Sequence, residues 1–320
     1  MTNKGKIKKI IADNSAVVAL ITLFIIAVIL KGTMFLNYNN IINILMNNSF
    51  IGIVALAMTL IIITENIDLS VGSQLALIGL VCITALNHTG SVLIALCAAI
   101  TVGIVSGIFA GALVAKFSVP SFIVTLGTMQ ILRSIAQYYY NGGGLLAQAN
   151  VSEKFTVISN YRLFDAVPMP IIYWLLISVV VHILMNYTAF GRHIYAVGSN
   201  EKAALLSSLN VDRIKIAVFG IAGFLVSIAA MLEASRLGSM NSSSSGKSYE
   251  MDAIAAAVIG GTAMSGGKGS VIGTIFGTLT IAIINNLMNL MGVPSFLVGA
   301  IKGLIIIVAV MLQKFMAKRS

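Results

Sequence analysis

The chain is expected to fold as an all-α membrane protein of about ten transmembrane helices, and three observations carry that expectation. Of its 320 residues, 58% are hydrophobic and only 9% charged, against about a quarter charged in an ordinary soluble domain. So few charges could not cover a water-facing surface, whereas a lipid-facing surface needs none. Apolar runs recur along the whole chain, separated by short polar or Gly/Pro/Asn stretches. The basic residues gather in those short stretches and form no continuous stripe.

A membrane-crossing helix needs about 20 apolar residues. Runs of that order lie near 14–33, 43–64, 69–86, 91–115, 119–140, 167–187, 213–236, 251–265, 270–291 and 295–314. The first follows Lys4, Lys6, Lys8 and Lys9, is long for a secretory signal and has no small-x-small cleavage site after it. It is read as a retained helix with its N-terminus in the cytoplasm. The eighth is short and is expected to be either complete or re-entrant.

Charge sets the orientation. With the N-terminus inside, the inner stretches hold Lys4, Lys6, Lys8, Lys9, Lys116, Arg192, Lys202, Arg213, Lys215, Lys268, Lys314, Lys318 and Arg319. The outer ones hold only Lys31, Lys154, Arg162, Arg236 and Lys247, while Arg133 and Lys302 fall within spans. That bias is expected of an even number of helices with both termini cytoplasmic. Two connections exceed the others, an outer loop at 141–166 and a cytoplasmic loop at 188–213. Long connections in a tightly wound membrane protein are where partners usually sit.

An internal repeat organises the chain as one transmembrane domain, 1–320. Val119-Pro-Ser-Phe-Ile-Val124 recurs as Val293-Pro-Ser-Phe-Leu-Val298, at the start of the fifth and tenth spans. Five spans per unit place the copies in opposite directions, giving inverted halves at about 1–140 and 167–314, a common plan for transporters.

Several chemistries are excluded. The net charge of +10 forms no basic face with interleaved aromatics, so nucleic-acid binding is not expected. Cys82 and Cys97 lie in apolar runs, and His88, His182 and His193 have no metal-ligand spacing. No Ser/His, paired Asp or His-Glu-x-x-His set falls within spans, so no catalytic or metal residues are expected. Residues 260–270 nearly imitate a phosphate loop, but Gly261 is out of phase and Gly269 stands at the Ser/Thr position. Any ATP must be handled by a partner.

Glycines four apart recur at Gly103, Gly107 and Gly111, at Gly269, Gly273 and Gly277, and at Gly299 and Gly303. Such stripes serve close helix packing within the chain or a dimer face. In the cytoplasmic loop, Asn200 is a good N-cap, Glu201 favours the helix dipole, and Ala203, Ala204 and Leu205 are strong helix formers. Asn210 is suited to closing that helix in a left-handed conformation. The short helix is either a docking element for a cytosolic partner or an ordinary turn. Asp68 interrupts an apolar stretch, either capping the third helix near Ser70 or facing a pathway. Asn285 and Asn289 share a helix face and would bond a hydroxylated solute or a neighbouring helix.

Asn66-Ile-Asp-Leu-Ser-Val-Gly-Ser73, Pro120-Ser-Phe-Ile-Val-Thr-Leu-Gly127, Gly191-Arg-His-Ile-Tyr-Ala-Val-Gly198 and Gly260-Gly-Thr…Gly266-Gly-Lys-Gly…Gly273 with Asn285-Asn resemble the ribose-type monosaccharide permeases. The resemblance runs from about residue 40 to the C-terminus. It implies a bacterial inner-membrane subunit of a binding-protein-dependent importer, with a fold similar to the large cobalamin-type permeases. It implies a second permease copy (homodimer or paralogue), a cytosolic ATPase that hydrolyses ATP with Mg, and an extracytoplasmic sugar-binding protein. No cofactor is expected on this chain. Gly198, Ser199, Asn200, Glu201, Ala203, Ala204, Leu205 and Asn210 are then the expected ATPase-coupling element. Asp68, Ser70, Thr125, Asn285 and Asn289 are expected along the pathway. Asn141, Gly142, Gly143, Arg162, Ser242, Ser243 and Lys247 are expected to meet the binding protein. An ion-coupled sugar carrier is the alternative. One departure is local: relatives commonly have Gly-Gly where this chain has Glu65-Asn66.

Overall fold

The computed structural model describes residues 15–317; Lys4, Lys6, Lys8, Lys9, Lys318 and Arg319 lie outside them. Among the described residues, seven helices are long and apolar enough to cross a membrane. They are α1 (Ser15–Leu36), α2 (Tyr38–Ile63), α3 (Val71–Thr89), α4 (Val92–Lys116), α7 (Met169–Tyr187), α10 (Val211–Leu237) and α12 (Val271–Leu290). With them come α5 (Ser121–Tyr139), α6 (Ala149–Asn160), α8 (Ala189–Ser199), α9 (Glu201–Leu206), α11 (Tyr249–Ile259) and α13 (Ser295–Ala317). The chain is an all-α, multi-pass membrane protein.

Local chemistry sets the boundaries. Asn37 caps α2 by accepting from the backbone N–H of Asn39, and Ser91 and Ser270 cap α4 and α12. Gly90 and Gly238 end α3 and α10 in left-handed conformation. The turn between α2 and α3 places Glu65 at φ 60, where glycine is favoured. The turn therefore keeps a glycine-like shape although a glutamate occupies it.

The eighth span departs from expectation. Instead of a run over 251–265, α11 covers 11 residues, Tyr249–Ile259, or about 16 Å of rise. Gly260 and Gly261 stop it, Gly261 at φ 91. The preceding residues, 238–248, descend beside α3 in largely non-helical form. A Cβ at Gly79 would meet Met240 Cε at 2.5 Å, and one at Gly72 would meet the Gly246 carbonyl oxygen at 2.2 Å. Irregular backbone at such depth must be satisfied by protein. Arg133 on α5 does this, donating to the carbonyls of Ser242 (2.9 Å) and Ser245 (3.0 Å).

Glycines bring the helices together. Cβ atoms at Gly103 and Gly107 would meet backbone oxygens of Gly223 and Phe219 at 2.5 and 2.3 Å, so α4 lies directly on α10. Gly273 and Gly277 do the same for α12 against α11, through Gly260 and Ala256. The first two stripes therefore pack within the chain, whereas Gly299 and Gly303 on α13 meet nothing within 4 Å. Helix α3 packs on α4, α5 and α10, and α11 packs on α12, α13 and α2.

The connections gather at two ends. At one, β1 (Gly144–Leu146) pairs antiparallel with β4 (Ser239–Asn241), and β2 (Arg162–Leu163) with β3 (Val167–Pro168). Helix α6 docks there on α10, with Ser159 donating to the Leu232 carbonyl and Ser235 to that of Phe155, both at 2.7 Å. The segment 141–166 is thus an ordered cover and not an open loop. At the other end, the Gly267 N–H donates to the Ile63 carbonyl (2.9 Å), and a Cβ on Gly198 would lie 1.6 Å from that oxygen.

Candidate solute cavity

The first eleven residues of α2 read Tyr-Asn-Asn-Ile-Ile-Asn-Ile-Leu-Met-Asn-Asn. Asn40, Asn43 and Asn47 recur at i, i+3 and i+7, which puts their amides on one helix face. On α12, Asn285 and Asn289 stand one turn apart with Asn286 beside them. On α10, Glu233 and Arg236 are i and i+3. These three faces, with Tyr249 at the start of α11, enclose a cavity of about 570 Å³. Polar side chains in a lipid-embedded bundle are expensive, and they face the bundle interior or an aqueous space.

Part of this polarity is internally satisfied. Asn40 and Asn286 exchange amide hydrogen bonds across α2 and α12, at 3.3 and 2.7 Å, and Asn40 also donates to the Phe35 carbonyl at 2.8 Å. Asn48 donates to the Ile44 carbonyl at 2.8 Å. Arg236 donates to Asn47 and stands 6.0 Å from the Phe50 ring centre, a favourable cation–π position. Tyr249 stands beside Glu233 in the wall. Asn285 neighbours Asp252, which is ion-paired to Lys302 at 2.7 Å.

Part of it is not. Among the described residues, Glu233 Oε2 and Asn285 Oδ1 are buried without a protein hydrogen-bond partner. The amides of Asn43 and Asn289, both exposed in the cavity wall, hydrogen-bond nothing among the described residues. The arrangement offers a neutral hydroxylated molecule both donors and acceptors, with one carboxylate and one guanidinium balancing in charge.

Of the expected pathway residues, Asn285 and Asn289 line this cavity and the other three do not. Asp68 caps the turn before α3, accepting from the Ser70 N–H (2.8 Å) and hydroxyl (2.6 Å) on one oxygen. Burial pushes its carboxyl up, and the two Ser70 hydrogen bonds pull it back. Thr125 on α5 donates to the Ile67 carbonyl at 3.2 Å, and Ser121 accepts from the Ile67 N–H at 3.1 Å. Both acts hold the same turn.

The short capped helix expected after Asn200 is present as α9. Asn200 Oδ1 accepts from the Ala203 N–H at 3.0 Å. Two details are corrected. Asn210 does not close α9: at φ −81 it caps α10, accepting from the Arg213 N–H, while Ser208 at φ 62 makes the left-handed turn. Ala204 is buried within the chain, whereas Leu205 and Leu206 are 55% and 88% exposed. Glu201 is engaged by Lys215 at 2.9 Å. Gly198 and Ser199 pack against Ile63 and Gly267. Of the expected docking residues, Asn141, Gly142, Arg162, Ser243 and Lys247 are exposed and Gly143 is partly so. Ser242 is buried and bonded to the Gly143 carbonyl at 2.8 Å, which removes it from any docking face.

Asn40, Asn43, Asn47, Glu233, Arg236 and Tyr249 were not expected at a site. The i, i+3, i+7 spacing of the first three was the available signal, since amides on an apolar helix need a polar face.

No solved structure matches the chain. Residues 40–310 match the family described as branched-chain amino acid transport system / permease component. The ribose import permease protein RbsC of Escherichia coli K12 is 38% identical, over 94% of this chain and 93% of that protein. RbsC of Bacillus subtilis 168 is 37% identical, over 91% and 90%. The galactose/methyl galactoside import permease protein MglC of Haemophilus influenzae is 35% identical over 88% of each chain. The chain belongs to this family of transport-system permease components.

Proposed function

We propose that this chain is the membrane-spanning permease of an ATP-driven importer that carries a monosaccharide, ribose or a related sugar, across the bacterial inner membrane. The observation that carries the choice of solute is the amide-lined cavity, whose chemistry suits hydroxyl groups and not branched aliphatic side chains. The relatives' names, ribose and galactose import permeases, point the same way. ATP and Mg belong to a cytosolic ATPase, and the sugar arrives on an extracytoplasmic binding protein.

Ten spans are reached by counting α5, α13 and the broken span before and through α11 with the seven long helices. Two facts support inverted halves. The repeat spacing, Val119 to Val293, is 174 residues, and the same shift takes Gly72 to Gly246. Those two glycines touch reciprocally, each blocking a Cβ on the other at 2.2 Å, as residues beside a pseudo-two-fold axis do. The α3 neighbours α4, α5 and α10 also map onto the α11 neighbours α12, α13 and α2. The stripe at Gly299 and Gly303 and the apolar faces of α5 and α13 suit a second permease copy.

The α8–α9 end carries Arg192, Lys202, Arg213 and Lys215, a concentration of basic residues that supports reading it as the cytoplasmic end. Leu205 and Leu206 would enter a groove on the ATPase. Exposed residues of 141–148, Arg162, Ser243 and Lys247 would meet the binding protein at the opposite end. Alternating access then follows from ATPase closure moving α9, which Lys215 ties to α10.

The test is reconstitution with the ATPase and binding protein in proteoliposomes. Ribose-stimulated ATP hydrolysis and uptake are expected, and Leu206→Glu should abolish the stimulation while the binding protein still docks. Uptake driven by a proton or sodium gradient without ATP would favour the ion-coupled carrier instead.

A further inference from the structure

We infer that the cavity between α2, α10 and α12 is a binding site for a free monosaccharide that lies wholly within one chain, so that each copy carries its own. The choice of sugar rests on the importer reading; the site itself rests on the geometry.

Seven asparagines line the cavity, from Asn40 to Asn48 on α2 and from Asn285 to Asn289 on α12. An amide both donates and accepts, as a sugar hydroxyl does. Packing alone accounts for some of them: the Asn40–Asn286 pair ties two helices, a usual role for amides in lipid. It does not account for Asn43 and Asn289, nor for the unpartnered oxygens of Glu233 and Asn285. Glu233 is 94% buried (6% exposed), and a buried acceptor left unmade costs about 1–3 kcal/mol. A hydroxyl donor recovers that cost.

The rest of the wall completes the match. Phe50, Ile51 and Ala282 give an apolar patch for the C–H face of a pyranose or furanose. From Asn40 to Ile51 the wall follows twelve residues of α2, about 16 Å along the helix axis. The volume of about 570 Å³ falls within the roughly 300–1,000 Å³ of small-molecule sites.

The experiment uses the full chain in nanodiscs of phosphatidylglycerol and phosphatidylethanolamine, free of sugar detergents. Saturation-transfer NMR with D-ribose should give a saturable signal. Asn43→Leu with Asn289→Leu should weaken it at least about tenfold, or about 1.4 kcal/mol, and the paired serine variants should restore part of it. Independently, Asn289→Cys in a Cys97→Ser background should react with a water-soluble maleimide, and ribose should slow that reaction while the charged sugar acid ribonate should not. No saturable signal from the parent chain, equal binding by the leucine variant, or labelling indifferent to ribose would each overturn the site. So would labelling slowed by the binding protein alone, which would make the occupant a protein side chain. Parallel uptake by the full complex separates the two readings. ATP-driven ribose uptake without ribose binding here removes the cavity and leaves the importer; ribose binding without ATP-driven uptake does the reverse.

Discussion

Two buried acids show how this molecule divides structure from function. Asp68, in the turn between α2 and α3, is 2% exposed, and one of its oxygens takes both the N–H and the hydroxyl of Ser70. Glu233, in the wall of the asparagine cavity, is 6% exposed and has an oxygen with no protein partner among the described residues. Both would be costly in lipid without compensation. At Asp68 the surrounding chain supplies it, and the acid fixes a turn. At Glu233 it is supplied only in part, and the remaining capacity faces the cavity. Satisfaction, more than burial, separates a scaffold acid from a site acid.

The comparison predicts that the turn is intolerant of change. The largest effect is expected at Gly198, against the residue where the turn begins. Its Cβ would lie 1.6 Å from the Ile63 carbonyl oxygen and 2.8 Å from the Gly267 nitrogen, both backbone atoms that cannot swing away. Gly198→Ala should fail to accumulate in membranes, measured by immunoblot and size-exclusion chromatography of the extracted protein. Gly127→Ala, whose Cβ meets nothing within 4 Å, should accumulate normally. Accumulation of Gly198→Ala at parental levels would show that the three-way contact of Ile63, Gly198 and Gly267 is loose.

Asp68→Ala comes next. It strips the acceptor from two buried donors of Ser70, a loss of about 1–3 kcal/mol. The thermal unfolding midpoint in detergent should fall clearly, with sugar binding by the surviving folded fraction unchanged. A variant that melts like the parent but loses transport would return Asp68 to the pathway.

How much of this was legible in the sequence differs between the two regions for physical reasons. The turn was readable in part: Asp68 and Ser70 are two residues apart, so a local cap was one of two readings, but the sequence also placed both along the pathway, and only the two Ser70 hydrogen bonds on one Asp68 oxygen decide for the cap. The α9 cap at Asn200 was readable likewise. The cavity was not, because it is assembled from α2, α10 and α12, nearly 250 residues apart along the chain. Only Asn285 and Asn289 announced themselves, through helical spacing. Glu233 hid in a long apolar helix and Arg236 read as a loop charge. The error at Ala204 had another source: six residues of helix have a buried side and an exposed side, and composition does not say which is which. The break in the eighth span was anticipated only as a possibility, since Gly260-Gly261 marks where α11 stops but nothing local says that 238–248 is non-helical.

Glu233→Gln should have the smallest effect on stability and is therefore the sharpest test of the contrast. Glutamine keeps the shape and one neutral carbonyl acceptor, with an NH2 donor in place of the second oxygen. It also removes the cost of holding a carboxylate away from water, which offsets the lost attraction to Arg236 one turn along α10. The melting temperature should stay within the range of a neutral substitution, about 0.5 kcal/mol either way. Ribose recognition should nonetheless suffer. A hydroxyl donating to a carboxylate gains about 1.5–3 kcal/mol, against about 0.5–1.5 for a neutral acceptor. The difference is a roughly five- to tenfold weaker half-saturation for ribose in the reconstituted system. Asp68→Ala loses stability and keeps recognition; Glu233→Gln keeps stability and loses recognition. If Glu233→Gln instead lowers the melting point and leaves ribose half-saturation untouched, Glu233 is a scaffold acid like Asp68, and the unpartnered oxygen is filled from within the fold.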